Sequence, residues 1–206
     1  MAELNEKILH TASHLMGLYG ISSVRMDDIA KECGISKRTL YEIIPDKKTL
    51  VWQCVLYRHQ QHANDAKSLV YEASDTLDAI LLIYKYMKQG MTESSGKFFQ
   101  DMHRLYPDIE KKCQEMQQER TKSFANFLLK GVDEGVFRNG INFTLATKAF
   151  LIQSASIING ISFSDNPREV IRMVDIAFEI FLRGIATRKG LDKIEDFLFE
   201  NKLSEN

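Results

Sequence analysis

The sequence contains few of the residues that interrupt helices or cross-link small secreted domains. Its 206 residues include 3 prolines, 11 glycines and 3 cysteines. Cys33, Cys54 and Cys113 lie far apart, are odd in number and lack C-x-x-C spacing, so neither a disulfide framework nor a zinc knuckle is indicated. We therefore expect three small buried thiols in a reducing compartment, and helices rather than sheets.

Little in the sequence suggests a membrane or secretion. The longest apolar stretch, about 176–186, is interrupted by Glu179 and Arg183 and is well short of the roughly 20 residues that span a bilayer. The N-terminus has no charged segment followed by an apolar one, which is the pattern of a signal peptide. These observations predict a cytoplasmic protein with no membrane partner.

Positive charge is not in excess over the whole chain but is concentrated in one stretch. The formal net charge is −1, and 44% of the residues are hydrophobic, which is ordinary for a globular protein with a real core. Residues 36–48 nevertheless hold four basic and two acidic side chains. A local cationic surface is sufficient for nucleic-acid binding.

Residues 25–44 predict two short helices joined by a tight turn. The first, 26–33, has one apolar face and is followed by Gly34, where a left-handed residue ends a helix without steric cost. Ser36 is a suitable N-cap for the second helix, 37–44, whose outer face is cationic. This arrangement is typical of a helix-turn-helix.

The motifs in and around this stretch resemble the N-terminal DNA-binding domain of the TetR family of bacterial regulators. The matching motifs are Tyr19-Gly20, Ile29-Ala30, Gly34-Ile35-Ser36, Thr39-Leu40-Tyr41 and Lys47. Two positions depart from the family pattern: Arg25 replaces the threonine that usually caps the second helix, and Ile44 replaces an aromatic residue. Arg25 leaves the cap in question but adds a cation where the family approaches phosphate.

The predicted fold is all-α, with a three-helix head followed by a larger helical body. We place the DNA-binding domain at 1–49 and the effector-binding and dimerisation domain at 50–206. Two helices near 143–160 and 168–186 are apolar on nearly every side, which indicates that both their faces are covered. In the family this pair forms a four-helix interface with its copy. The residues expected at that homodimer interface are Phe150, Ile157, Val174, Phe178, Phe181 and Ile185.

The resemblance implies that the second helix of the motif lies in the major groove of double-stranded DNA. The residues it assigns to DNA contact are Arg25, Ser36, Lys37, Arg38, Thr39, Tyr41, Glu42 and Lys47. Lysine or arginine suits phosphate or guanine, a tyrosine hydroxyl donates to phosphate, and glutamate accepts from cytosine or repels wrong approaches. On an arbitrary helix the same residues would be an ordinary solvated face.

A small-molecule effector is also implied by the resemblance, because the family has a ligand cavity in its body. Aromatic and methionine side chains with a few polar tips line such cavities, although the same residues also form ordinary cores. We therefore expect an apolar or aromatic effector. The candidate lining residues are Trp52, Tyr84, Met87, Met91, Phe98, Phe99, Met102, His103, Tyr106, Phe124, Phe127 and Gln153.

Neither a metal site nor a catalytic site is indicated. His10 and His14, like His59 and His62, share a helix face, but no third and fourth zinc ligands converge on either pair. No nucleophile-base arrangement, phosphate loop or paired carboxylates stand out, so we expect no cofactor and no enzyme. The resemblance implies a DNA-binding regulator, expected to be a ligand-responsive repressor that binds a near-palindromic operator as a dimer. The alternative is an all-α small-molecule-binding protein or enzyme whose head no longer binds DNA.

Overall fold

A computed structural model describes the backbone of residues 2–93, 97–158 and 166–203, and their side chains except at 90–93, 99, 167 and 200–203. The described residues form ten helices and confirm the predicted all-α class. No helix among them is both long and apolar enough to cross a membrane. The helices are α1 (Ala2–Tyr19), α2 (Met26–Glu32), α3 (Lys37–Ile43), α4 (Lys47–Glu72), α5 (Thr76–Glu93), α6 (Lys97–Leu105), α7 (Pro107–Asp133), α8 (Phe143–Ile158), α9 (Pro167–Ile185) and α10 (Arg188–Leu203).

The predicted helix-turn-helix is present and ends within one residue of the expected bounds. Gly34 follows α2 with φ +69°, a conformation that glycine adopts without the strain of a Cβ. The Ile35 amide donates to the Ala30 carbonyl at 3.0 Å, which closes the turn. Leu40 on α3 is fully buried, so the opposite side of this short helix faces solvent.

The chain divides into two compact units, and the first comprises Met1–Lys67 and Glu93–Gln114. Its core joins the apolar faces of α1 to α3 to the first half of α4, α6 and the start of α7. This unit is larger than the DNA-binding domain predicted for 1–49, because α6 packs against α1 and contributes Phe98 and Met102 to the same core. A functional boundary near residue 49 remains a prediction.

The second unit comprises Ser68–Thr92 and Glu115–Asn206. Its core is built around Phe137, Leu128 and Leu182, which are almost completely buried. The turn after α7 packs on the start of α10 so closely that a Cβ on Gly190 would lie 2.3 Å from the Val136 carbonyl oxygen. Within this unit α8 and α9 make the most extensive helix pair.

The residues predicted at the dimer interface pack within their own chain, and their contact with a partner remains a prediction. Ile157, Val174, Phe178 and Ile185 are buried within their own chain, and Phe150 and Phe181 are half-buried with their rings stacked at 4.9 Å. These residues hold α8 and α9 to the core, since a helix pair must first bury one face within its own subunit. The large apolar side chains that remain exposed on the two helices are Leu145, Ile152, Ile176 and Ile180.

Candidate nucleic-acid interface

Helix α3 begins with a complete N-cap. The Ser36 hydroxyl accepts a hydrogen bond from the Thr39 backbone amide at 3.0 Å, and the two hydroxyls lie 2.8 Å apart. An N-cap of this kind satisfies an amide that has no partner within the helix. Ser36 and Thr39 therefore have a structural role that fixes where the predicted recognition helix starts.

The exposed face of α3 carries four of the predicted DNA-contacting side chains. Lys37, Arg38, Tyr41 and Glu42 are all exposed, whereas Leu40 anchors the buried side. The Lys37 ammonium lies 2.8 Å from a carboxylate oxygen of Asp27 on α2. The Arg38 Nε donates to Glu42 Oε1 at 2.9 Å, one turn along the same helix. The face presents cations to solvent, each held by an acidic neighbour.

The N-cap residue of helix α2 is Arg25, and its side chain accepts no hydrogen bond from the helix. A guanidinium only donates hydrogen bonds, so Arg25 cannot accept from the helix amides as threonine would. Asp28 compensates in part, because its carboxylate accepts the Arg25 backbone N–H at 2.8 Å, which is one half of a capping box. The Arg25 side chain is exposed and remains available for another partner.

Helix α4 begins with a second capped terminus. Asp46 accepts from the Thr49 amide at 2.7 Å and from its hydroxyl at 3.1 Å. The amide hydrogen bond is the largest cause that lowers the pKa of the Asp46 carboxyl. Lys47 is half-buried, and this burial lowers the pKa of its ammonium, although the negative charges of Asp101 and Asp28 act to raise it. Lys47 thus sits at the positive end of the α4 dipole, and both its charge and the helix terminus attract anions.

A buried carboxylate on α6, which no sequence pattern indicated, fixes the loop between α1 and α2. Asp101 is only 7% exposed. It accepts from the Ser22 amide at 2.7 Å and from the Arg104 guanidinium at 3.1 Å. Burial opposes ionisation of this carboxyl, yet the hydrogen bond from Ser22 and the charge of Arg104 hold its pKa below the ordinary value. Gly20 permits the approach, because a Cβ there would lie 2.9 Å from the Asp101 oxygen.

The predicted effector-binding residues divide between the two units. Trp52, Phe98, Met102, His103 and Tyr106 belong to the first unit, and Tyr84, Met87, Phe124, Phe127 and Gln153 to the second. The side chains of Met91 and Phe99 lie outside the described residues.

Several of these side chains are already engaged or exposed. Tyr84 stacks on Phe178 at 3.6 Å and donates to Asp175, whereas Met87 and Gln153 are exposed. Two clefts of about 400 and 410 Å³ lie in the first unit and share Lys97, but none of the twelve residues lines them.

The head of the chain matches a known protein family. Residues 8–53 match the model of the family described as bacterial regulatory proteins, tetR family. The uncharacterized HTH-type transcriptional regulator YxaF of Bacillus subtilis (strain 168) is 37% identical over 81 residues. That stretch covers 39% of this chain and 42% of YxaF, so the match spans less than half of either protein.

Solved structures match over most of the chain. A TetR-family transcriptional regulator from Agrobacterium tumefaciens aligns with a TM-score of 0.71 and 15% identity, covering 90% of this chain and 99% of that one. A putative transcriptional regulator from Saccharomonospora viridis, solved in complex with choline, aligns with a TM-score of 0.65 and 17% identity, covering 91% and 100%. At such identities these likenesses establish the fold. Residues 8–53 thus match the helix-turn-helix head of bacterial regulatory proteins of the tetR family, and the chain shares the fold of the solved regulators.

Proposed function

We propose that the chain is a DNA-binding transcriptional regulator whose α3 enters the major groove of a near-palindromic operator. The observation that carries this proposal is the capped α3, which exposes Lys37, Arg38 and Tyr41 on one face. Recognition helices of this motif contact base edges with their N-terminal residues. Arg25 and Lys47 stand at the starts of α2 and α4, where phosphates are bound. With DNA as the partner, its site of action is the cytoplasm.

The proposed regulator acts as a homodimer formed through α8 and α9. Leu145 and Ile152 lie two turns apart on α8, and Ile176 and Ile180 one turn apart on α9, each more than half exposed. Four large apolar side chains on two adjoining helices favour a partner surface over solvent. A two-fold copy would present two α3 helices to half-sites about 34–36 Å apart, or a near multiple.

We further propose that the regulator represses transcription and that a small apolar or aromatic effector releases it from DNA. The regulator from Saccharomonospora viridis that shares this fold was solved with choline, which supports a ligand-binding body. An effector releases DNA only if it binds more tightly to a conformation that is unfit for the operator.

The DNA-binding proposal is tested by replacing cations on the proposed surface. Fluorescence anisotropy with duplexes selected from a random pool measures affinity for wild type, Arg38→Ala and Lys47→Ala. Each variant should bind more weakly, and the log–log slope against salt should become shallower by about 0.9 for each lost phosphate contact. Arg188→Ala is the matched control, since that side chain is 92% exposed on α10 of the second unit.

Two results would overturn the proposal. The first is a wild-type chain that binds no duplex even at low salt, which would favour the alternative of a head without DNA binding. The second is unchanged affinity in both Arg38→Ala and Lys47→Ala. In every case the oligomeric state of the variants should match wild type, because neither residue is on α8 or α9.

A further inference from the structure

Both cations at the start of α3 are held by carboxylates of the same surface. Lys37 Nζ lies 2.8 Å from Asp27 Oδ1 and donates to Asp27 Oδ2 at 3.0 Å, which links α3 to α2 across the turn. Arg38 Nε is bonded to Glu42 at 2.9 Å. The carboxylates of Asp27 and Glu42 therefore compete with a phosphate or a base edge for donors of these two cations.

The two neighbouring acids of α2 have different roles. Asp28 accepts the Arg25 backbone amide and so belongs to the cap of α2. Asp27, among the described residues, bonds to Lys37 alone. Besides its effect on the dipole of α2, in whose first turn it lies, the Asp27 charge acts on Lys37 and on any anion that approaches Lys37.

We propose that Asp27 and Glu42 are specificity-determining residues that suppress binding to DNA of arbitrary sequence. This inference rests on the proposed function. On a duplex without the operator sequence, the Lys37–Asp27 and Arg38–Glu42 pairs stay closed, and the two carboxylates repel the phosphates. On the operator, α3 seats fully in the groove, and contacts to bases and phosphates replace both pairs. The carboxylates thus act as an element that disfavours the wrong partner.

The exposure of these pairs makes such an exchange feasible. The side chains of Lys37 and Asp27 are 60% and 58% exposed, and those of Arg38 and Glu42 are 89% and 60% exposed. Exposed ion pairs contribute little to stability, so opening them is easy once a polyanion competes. The same exposure places each carboxylate close to the phosphates of any duplex that touches α3, where like charges repel.

The test compares neutral variants of the two acids with a charge-matched control. Asp27→Asn and Glu42→Gln each remove one negative charge and release one cation. Glu119→Gln removes the same charge from an exposed pair with Lys122, 2.8 Å apart on α7 in the second unit. Affinity is measured by anisotropy over a range of salt, for a random-sequence duplex and for a duplex selected by wild type.

Each test variant should bind the random duplex about 2- to 5-fold more tightly than Glu119→Gln does, as expected from the strength of one exposed ion pair. Its salt slope on that duplex should steepen by up to about 0.9, since one more cation is free to meet a phosphate. The gain on the selected duplex should be smaller, so the ratio of the two affinities falls.

Three outcomes would overturn the inference. They are random-duplex affinities equal to that of Glu119→Gln, weaker binding to both duplexes, and equal gains on both duplexes. Failure of the proposed function is distinguishable, because wild type would then bind neither duplex. The Lys37–Asp27 pair is also checked without DNA: the pKa of the Lys37 ammonium, raised by its hydrogen bond to Asp27, should fall in Asp27→Asn when followed by NMR of dimethylated lysines.

Discussion

Replacing Asp101 with asparagine should destabilise the first unit in a pH-dependent way. Asparagine has the same shape, and its amide oxygen still accepts from the Ser22 N–H. The substitution removes the charge from a bond that measures 2.7 Å in a site only 7% exposed. It also places amide protons beside the Arg104 guanidinium, which donates to the other oxygen in the wild type.

The magnitude follows from the strength of a buried, charge-assisted hydrogen bond. Such bonds contribute about 1.5–3 kcal/mol, roughly twice a neutral one. The Arg104 side chain is mostly exposed, so its pairing adds little to this sum. Because asparagine keeps a neutral hydrogen bond to Ser22, we expect the free energy of unfolding to fall by the difference between the two, about 1–1.5 kcal/mol at pH 7, or roughly 0.5 M in the urea midpoint.

This change can be measured by urea unfolding, with the fluorescence of Trp52 as the signal, because Trp52 reports on the first unit. Trp52 is the one tryptophan in the sequence, and it belongs to the first unit, where Lys112 lies 4.8 Å from its ring centre. Asp108→Asn is the control, because it removes a carboxylate from an exposed pair with Lys48 and should shift the midpoint far less. Protein concentration is held fixed, since association raises apparent stability.

The pH profile distinguishes lost charge from lost shape. The folded state lowers the pKa of Asp101, so its charge stabilises the fold above the ordinary aspartate pKa of about 3.9. That contribution is lost as pH falls through the lower pKa of the folded state. The deficit of Asp101→Asn should be constant from pH 7 to about 5 and shrink below about 4. Two results would refute the reasoning: an Asp101→Asn variant as stable as wild type at pH 7, or a loss of unfolding free energy that is the same at every pH.

Two further predictions concern the second unit. Ile152→Lys and Ile180→Lys should each weaken dimerisation at least about 100-fold in sedimentation velocity, because two-fold symmetry buries each side chain twice in the proposed interface. Phe199→Lys, at an exposed residue of α10, is the control, and an equal loss of dimerisation there would contradict the assigned face. Gly190→Ala should lower the free energy of unfolding by about 1–3 kcal/mol, because its Cβ would meet a backbone oxygen at 2.3 Å. Gly184→Ala, with open space around the new Cβ, should be nearly neutral in thermal unfolding, and equal effects would argue against the close contact.

The helix-turn-helix was predictable because its signals are local. Gly34 and Ser36 end and begin helices through their own backbone and side chain, and both do so in the structure. At Arg25 the sequence raised the question of the cap, and the answer came from Asp28, three residues away.

The face of α8 and α9 that turns to the chain's own core could not be predicted from the sequence, because both helices are apolar on nearly every side. Periodicity identifies the buried face of an amphipathic helix, but it cannot rank two apolar faces. Val174 and Phe178 therefore look as suitable for a partner as Ile176 and Ile180, and burial alone separates them.

Asp101 was missed for a different reason. An isolated aspartate on a short amphipathic helix is ordinarily a solvated residue. Only the packing of α6 against the loop at Gly20 and Ser22 buries it. Contacts between residues so far apart in sequence leave no periodic signal, so tertiary structure was needed to find this one.

Protection of guanine N7 from methylation tests the placement of α3 in DNA most directly, because N7 lies in the major groove. On a duplex selected from a random pool, the account predicts two clusters of protected guanines about 10 base pairs apart, or a near multiple. Both clusters should weaken together in Arg38→Ala. A single cluster, or a bound duplex whose major-groove guanines all stay reactive, would contradict the account.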